Sequence, residues 1–203
     1  MTTFFIIRHG KTLFNEKERL QGWCDSPLTA DGFAQMKQLS EGLKDIDFSA
    51  IYTSTSPRAM TCAEILAEDR DLELQPRDSL REIGYGSLEG EYLADAFPEG
   101  RLSDVGYAKY NGEDLYTAQR RFIGELQQIA SEYPDDNVAV VTHGHLIKTL
   151  LGSFTQQFAA ETIYTAEQIP PCSVTVLKHD NNRFSLDCLP DISWRTNTGF
   201  SNR

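Results

Sequence analysis

The chain has 203 residues, of which 40% are hydrophobic, and a formal net charge of −11 at neutral pH. This length suits a single domain over residues 1–203, and no apolar run is long enough to span a membrane. The acidic balance argues against nucleic acid or an anionic membrane as a partner. No secretory signal precedes the first apolar run, and the four cysteines form no metal-binding or CxxC pattern. We therefore expect a cytoplasmic protein with reduced, packing cysteines.

The first element is a short apolar run that ends abruptly in polar residues. Residues 4–7 are consecutively apolar and include two β-branched side chains, which indicates a strand buried on both faces. Arg8 and His9 follow, and both are costly to desolvate unless an anion meets them. A phosphate fits, because its oxygens match the planar arginine fork. Gly10 then permits a tight turn or a close approach to a ligand.

Helical and strand patterns alternate after this turn. Thr29 is a good N-cap for a helix that reaches about Lys44, and residues 50–53 form a short strand. A second helix begins near Pro57, with a serine as its cap. Arg58 lies in the first turn of this helix, where the helix dipole disfavours a cation. An anion bound at the same helix end would account for it.

The second half continues the alternation. The predicted elements are an edge strand at 72–76, a glycine-rich loop at 80–90, an irregular stretch with some helix at 91–112, a helix at 114–131, a buried strand at 138–142, a helix at 146–151, two strands at 172–178 and 184–189 joined by a turn at 180–182, and a polar, poorly ordered tail from Asp191.

These elements predict an α/β fold: a three-layer α/β/α arrangement with a mostly parallel central sheet and a late antiparallel hairpin. Such sheets bind ligands beyond the carboxyl ends of their strands. His143 and Gly144 follow the strand at 138–142, as Arg8 and His9 follow the first strand. We expect the two pairs to meet in one crevice.

Arg8-His9-Gly10, followed by Thr12 and Asn15, resembles the opening motif of the histidine phosphatase superfamily, also called the phosphoglycerate mutase-like family. The segment Leu80-Arg81-Glu82, with Gly86 and Gly90, resembles the later Leu-x-Glu-x-x-x-Gly segment of that family. One residue departs from the pattern. Lys11 stands where the family usually has Glu or Gln, and we expect it to add positive potential at the mouth of the site.

The resemblance implies the phosphoglycerate mutase-like fold, phosphatase-type activity on a small phosphomonoester, and neither a metal nor an organic cofactor. His9 would attack phosphorus and form a phosphohistidine, and Glu82 would serve as general acid and then base. The other candidate residues divide into two groups. Phosphate binding is assigned to Arg8, Asn15, Arg58 and a protonated His143; substrate contacts are assigned to Gln21, Gly22, Tyr85 and Gly144.

Two alternatives concern individual residues. Glu89 lies in the same glycine-rich loop and competes with Glu82 for the acid and base role. His143 and His145 have the spacing of a zinc pair, although no third ligand is spaced nearby.

The reaction itself has alternatives as well. A phosphoglycerate mutase would carry a lysine where Leu93 stands and an arginine pair before the long helix. The basic residues of the stretch 99–112 are Arg101 and Lys109, which are not an arginine pair. The sequence therefore favours hydrolysis over the mutase reaction. A non-catalytic phospholigand-binding protein is a third hypothesis. It predicts loss of His9 or Glu82, and both are present.

Overall fold

The computed structural model describes residues 1–97, 106–155 and 168–196. Its strands form a six-stranded sheet in the order β3-β2-β4-β1-β5-β6. The first four strands in sequence are parallel, and the last two are antiparallel. The strands are β1 (Thr2–Arg8), β2 (Ala50–Ser54), β3 (Leu74–Arg77), β4 (Asn137–Thr142), β5 (Val174–Asp180) and β6 (Arg183–Asp191).

Helices cover both faces of this sheet, which confirms the predicted three-layer fold. Among the helices of the described residues, α1 is the one without a predicted counterpart, because four residues are too few to show a period. The helices are α1 (Leu13–Glu16), α2 (Ala30–Gly42), α3 (Pro57–Ala67), α4 (Leu93–Ala96), α5 (Leu115–Glu132) and α6 (Gly144–Leu151), with 3-10 turns at Asp78–Leu80, Gly86–Leu88, Ala108–Tyr110 and Ser193–Thr196.

Strand β1 is buried on both faces, as predicted. Phe4 and Ile6 belong to the core under α5 and α6. Phe5 and Ile7 belong to the core under α2 and α3. Because successive side chains of a strand point to opposite faces, one apolar run can contribute to both cores.

The register of β1 and β4 places the carboxyl ends of the two strands together. The strands pair in parallel, with Arg8 beside Thr142. His9 and His143 therefore leave the sheet from adjacent positions, which is the arrangement expected from the topology.

Helix boundaries follow their capping residues. The Thr29 hydroxyl accepts a hydrogen bond from the Gly32 amide at 3.0 Å, and Asp114 caps α5 through the Thr117 amide at 2.9 Å. Ser56 occupies the N-cap of α3 without a side-chain cap bond. Helix α6 begins at Gly144, two residues earlier than the apolar pattern indicates, so its first amides lie directly beside His143.

The irregular stretch predicted at 91–112 contains α4 and one 3-10 turn; residues 98–105 lie outside the described residues. The late hairpin turns at Asn181 and Asn182, whose φ angles are 49° and 59°. Two successive left-handed residues are typical of a type I′ turn, and asparagine tolerates that conformation.

The prediction of a poorly ordered tail from Asp191 is wrong for the residues that the structure describes. Residues Ser193–Thr196 form a 3-10 turn, and the Trp194 side chain is buried against α2. Its ring packs edge-on to Phe5, with centroids 5.7 Å apart. The neighbouring Arg195 donates to the carbonyls of Pro171 and Cys172, so an aromatic and a cationic side chain together dock this polar segment. Residues 197–203 lie outside the described residues.

All four cysteines are free thiols, and two of them, Cys62 and Cys172, are buried in the core. Within the three described ranges, no helix is long and apolar enough to cross a membrane.

Two glycines offer a matched test of this packing. A Cβ added to Gly42 would lie 1.7 Å from the Trp194 carbonyl oxygen, whereas one added to Gly124 in α5 meets nothing within 4 Å. We expect Gly42→Ala to destabilise the protein by about 1–3 kcal/mol through forced backbone shifts. Gly124→Ala should stabilise it by about 0.5–1 kcal/mol through lower chain entropy. Urea unfolding measures both, and equal effects of the two variants would contradict the docked tail.

Candidate active site

His9 lies directly after β1 and is held by backbone atoms. Its amide donates to the Thr142 carbonyl at 3.0 Å, and its Nδ1 lies 2.8 Å from the Gly10 carbonyl oxygen. A carbonyl can only accept, so Nδ1 carries the proton and Nε2 keeps the lone pair. Burial, followed by the nearby Arg58 and Arg8 guanidinium groups, lowers the pKa of His9 well below its usual 6.5. Both facts favour a neutral ring whose Nε2 lone pair is available to an electrophile.

Gly10 is required by the close approach of α2. A Cβ at this position would lie 2.7 Å from the Gly32 carbonyl oxygen. The Gly10 amide also donates to the buried Cys62 sulfur at 3.2 Å. The close approach that the sequence predicts at Gly10 is thus to the protein's own backbone, which fixes the turn that carries His9.

Arg58 is buried at the start of α3 and binds one loop. Its Nη1 donates to the Cys24 carbonyl at 3.0 Å and forms an ion pair with Asp25 at 2.7 Å. Its Nη2 donates to the carbonyl oxygens of Gln21 and Gly22 at 3.1 and 2.9 Å. Among the described residues, its Nε has no hydrogen-bond partner. A buried guanidinium N–H without a partner is a donor that an anion can use.

His143 faces His9 with ring centroids 5.2 Å apart. Its Nε2 lies 2.8 Å from the Ser54 hydroxyl, and its buried Nδ1 has no partner within the described ranges. Burial, then Arg58 and His9, lowers the pKa of His143 well below 6.5. This direction favours a neutral ring in the protein without a bound phosphate, and a protonated His143 beside the phosphate stays a prediction. Sequence alone does not reveal this burial, and a bound dianion would favour the protonated form.

Arg8 is buried beside these two rings, and its Nη1 donates to the Ile169 carbonyl oxygen. It contributes to the lowered pKa of both His9 and His143, which places its charge close to them. The structure therefore brings four of the predicted site residues together: Arg8, His9, Arg58 and His143.

Glu82 joins this cluster at the amino terminus of α6. Its Oε1 accepts from the amides of Ile83 and Leu146 at 2.9 and 2.8 Å, and its Oε2 accepts from the His145 amide at 3.0 Å. Burial raises the pKa of Glu82 above its usual 4.5, and these amides and Arg58 oppose the rise. Because Oε2 accepts a single bond, it retains space for a proton.

Glu89, the competing carboxylate, has a different environment. Its two oxygens accept four backbone N–H groups, from Gly22, Trp23, Cys24 and Tyr85, at distances of 2.8–3.1 Å. An acceptor used so fully by the backbone is a structural anchor. The geometry favours Glu82 over Glu89 for proton transfer.

Three other predicted site residues are engaged within the protein. Asn15 accepts from the Thr12 amide at 3.1 Å as part of a capping box, which leaves its amide nitrogen as the donor for a ligand. The Gln21 side chain accepts from the Thr12 hydroxyl at 2.6 Å and donates to Ser26. The buried Tyr85 ring packs on Tyr107, and its hydroxyl lies 3.2 Å from His145 Nδ1. Their substrate contacts stay predictions.

Gly22 and Gly144, by contrast, border the cluster through their backbone. The Gly22 carbonyl binds Arg58, and Gly144 opens the first turn of α6 beside His143. An amide at that position is suited to an anion.

Several residues that support Glu82 carry no motif in the sequence. Arg121 pairs bidentately with Glu113 at 2.7 and 2.8 Å and donates to the Glu82 carbonyl at 3.0 Å. The Trp23 indole donates to the same carbonyl at 3.0 Å. Thr142 donates to the Leu80 carbonyl at 2.7 Å. Their partners are mostly backbone oxygens, which leave no trace in the sequence.

Lys11 contributes less positive potential than its sequence position suggests. Its ammonium nitrogen lies 3.0 Å from a Glu16 oxygen and 3.9 Å from an Asp31 oxygen. These carboxylates offset its charge. In the part of the chain that the structure describes, no group of three or more His, Cys, Asp or Glu residues could hold a metal ion.

Comparison with known proteins agrees with the geometry. The profile of the histidine phosphatase superfamily (branch 1) matches residues 4–192. The chain therefore belongs to the histidine phosphatase superfamily, as its motifs indicate.

Relatives in this superfamily carry two kinds of name. An uncharacterized phosphatase, PhoE, of Bacillus subtilis is 35% identical over 151 residues, covering 74% of this chain and 76% of the relative. A metal-independent phosphoserine phosphatase of Arabidopsis thaliana is 28% identical and covers 100% of this chain and 87% of its own length. The crystal structure of a phosphoglycerate mutase from Bacillus anthracis superimposes with a TM-score of 0.82 at 28% identity, covering 97% and 96% of the two chains.

The electrostatics of the cluster can be tested on the imidazoles. We expect NMR titration to give both His9 and His143 a pKa below 6.5, and Arg58→Met to raise both values because a neighbouring cation is removed. Arg70→Met is the matched control, since Arg70 also binds three backbone carbonyls but lies away from the site. Unchanged imidazole pKa values in Arg58→Met would contradict the proximity of these charges.

Proposed function

We propose that the protein is a phosphomonoester hydrolase that acts through a phosphohistidine on His9. The observation that carries this proposal is the position of His9: its Nδ1 lies on the Gly10 carbonyl oxygen, which leaves Nε2 with the lone pair, and the cations Arg8 and Arg58 are buried beside it. A neutral imidazole is nucleophilic, and the cations supply the charge that a phosphate dianion requires.

Substrate binding follows from the charges. The phosphoryl oxygens would be bound by Arg8, by the Nε of Arg58, by the Asn15 amide and by His143. Protonation of His143 would accompany binding, because a dianion close to the ring raises its pKa. The charges are then in place before the chemical step, which lowers the reorganisation that the transition state needs.

The chemistry proceeds in two steps. First, His9 Nε2 bonds to phosphorus while the bond from phosphorus to the alkyl oxygen breaks, and Glu82 gives its proton to the leaving oxygen. Second, water attacks the phosphohistidine, Glu82 takes the proton of that water, and the bond from Nε2 to phosphorus breaks. The products are an alcohol and inorganic phosphate, and both His9 and Glu82 return to their starting forms.

The substrate is a small phosphorylated metabolite, and phosphoserine is the first to examine. The Arabidopsis relative, 28% identical over the whole chain, is named a phosphoserine phosphatase. Its name supports hydrolysis without a metal on this scaffold.

Phosphoglycerate mutation is the second candidate, favoured by the structural likeness to the Bacillus anthracis protein of that name. Leu93 argues against it. This residue lies on α4 with 37% of its surface exposed, where a mutase would need a lysine to hold the substrate carboxylate. Hydrolysis therefore ranks first.

A phosphomonoester panel tests the proposal. We expect the wild type to release phosphate from one or more members, and His9→Ala to lose on the order of 10³-fold or more in rate, because the nucleophile is removed. The panel includes phosphoserine and 3-phosphoglycerate, with isomer analysis of the products. Formation of 2-phosphoglycerate without free phosphate would identify a mutase. Equal activity of wild type and His9→Ala would overturn the phosphohistidine mechanism.

Substrates with different leaving groups test Glu82 as the general acid, because only a poor leaving group needs a proton from it. We expect Glu82→Gln to lower kcat/KM by about 10²–10⁴-fold for an alkyl phosphate, which needs a proton on the leaving oxygen. The loss should be much smaller for 4-nitrophenyl phosphate, since nitrophenolate leaves unprotonated. For the alkyl phosphate, kcat/KM of the wild type should fall as the pH rises through the raised pKa of Glu82, and the variant should lack this limb.

Glu91→Gln is the control for that experiment, because it removes the same charge from an exposed position nearby. Equal losses with both leaving groups in Glu82→Gln would argue against Glu82 as the acid. In that case Glu89, the other carboxylate of this loop, would be the residue to replace next.

A further inference from the structure

The loop of residues 21–25, here called the clamped loop, is bound on its amide side by one carboxylate. Glu89 Oε1 accepts from Trp23 and Tyr85 at 2.8 and 2.9 Å. Glu89 Oε2 accepts from Gly22 and Cys24 at 3.0 and 3.1 Å. Three consecutive amides therefore converge on a single charged group, and charge-assisted bonds of this kind are stronger than neutral ones.

Arg58 binds the carbonyl side of the same loop. Every hydrogen bond that its guanidinium makes within the described residues goes to the clamped loop, namely to the carbonyls of Gln21, Gly22 and Cys24 and to the Asp25 carboxylate. The clamped loop thus lies between Glu89, which accepts hydrogen bonds from its N–H groups, and Arg58, which donates hydrogen bonds to its C=O groups.

The packing leaves this loop little space to adjust. A Cβ added to Gly22 would lie 2.3 Å from the Ile83 carbonyl oxygen and 2.5 Å from Glu89 Oε1. A displacement of Glu89 therefore moves the loop backbone, and the guanidinium of Arg58 moves with the carbonyls that bind it.

We infer that Glu89 is a positioning residue, which orients Arg58 toward the substrate phosphoryl group through the clamped loop. The inference rests on the proposed function only in naming a phosphoryl group as the ligand. Glu89 itself touches no reacting atom. Its contribution is to hold two terminal nitrogens of Arg58 on the loop, so that the Nε edge, which has no partner in the described residues, stays available for phosphate.

The variant Glu89→Gln removes half of this network with little change in shape. A glutamine retains one acceptor oxygen, so it can keep the pair of amides on that oxygen but not both pairs. We expect KM for the phosphomonoester, and Kd for inorganic phosphate measured by calorimetry, to rise by about tenfold to a hundredfold, because a misplaced phosphate ligand loses most of its binding. The value of kcat should change less than KM. Glu91→Gln, with the same charge change, should match the wild type.

Cys24 reports on the loop without any catalysis. Its thiol is half-buried, and burial followed by Glu89 raises its pKa to about 12. Loosening of the clamped loop should therefore speed alkylation of Cys24 by about tenfold or more, since both access and the thiolate fraction increase. Site-resolved mass spectrometry separates Cys24 from Cys188, the other half-buried cysteine.

A double-variant cycle with Arg58→Met tests whether Glu89 affects phosphate binding through Arg58. If Glu89 acts through Arg58, adding Glu89→Gln to Arg58→Met changes the phosphate Kd little further, whereas independent effects would multiply. Multiplying effects, or a wild-type phosphate Kd in Glu89→Gln despite faster Cys24 alkylation, would overturn the inference.

The failure of the proposed function gives a different result. If the wild type binds phosphate but hydrolyses no ester, the proposed hydrolase activity is wrong. The phosphate Kd of Glu89→Gln then still tests the positioning role of Glu89. If the wild type binds no phosphate, both proposals are wrong.

Discussion

The burial of positive charge at the end of β1 is the constraint on which the rest of the site depends. Arg8 and Arg58 are almost fully buried, and burial of a cation costs free energy unless polar partners surround it. Backbone carbonyls and Asp25 supply such partners for Arg58. Burial first, and then the nearby arginine charges, lower the pKa of the adjacent imidazoles of His9 and His143. The loops around the site are therefore arranged to hold cations beside two imidazoles whose pKa values are lowered.

Local patterns were sufficient to predict the framework that carries these charges. The apolar run at 4–7 and the run before His143 identify two buried strands, and the rule that ligands bind beyond the carboxyl ends of parallel strands brings His9 and His143 together. The motif around Glu82 locates the carboxylate at the same edge. These predictions succeeded because each depends on residue type and spacing.

The features that sequence did not predict depend on backbone partners and on burial. Glu89 and Arg121 bind amides and carbonyls, and a backbone group has the same chemistry at every position in the sequence. The lowered pKa of His143 depends first on how completely the fold covers the ring. The docked tail depends on burial of the Trp194 ring and on hydrogen bonds from Arg195 to the carbonyls of Pro171 and Cys172, and neither produces a periodic pattern in the sequence.

The position of Glu82 at the start of α6 affects how its proton is given up and restored. When this carboxyl group delivers its proton in the proposed mechanism, the new negative charge is received by amides already aimed at it and by the positive end of the α6 dipole. The proton taken from water in the second step restores the acid. The hydrolytic water thus returns Glu82 to its acid form, so this carboxyl group needs no proton channel to the surface.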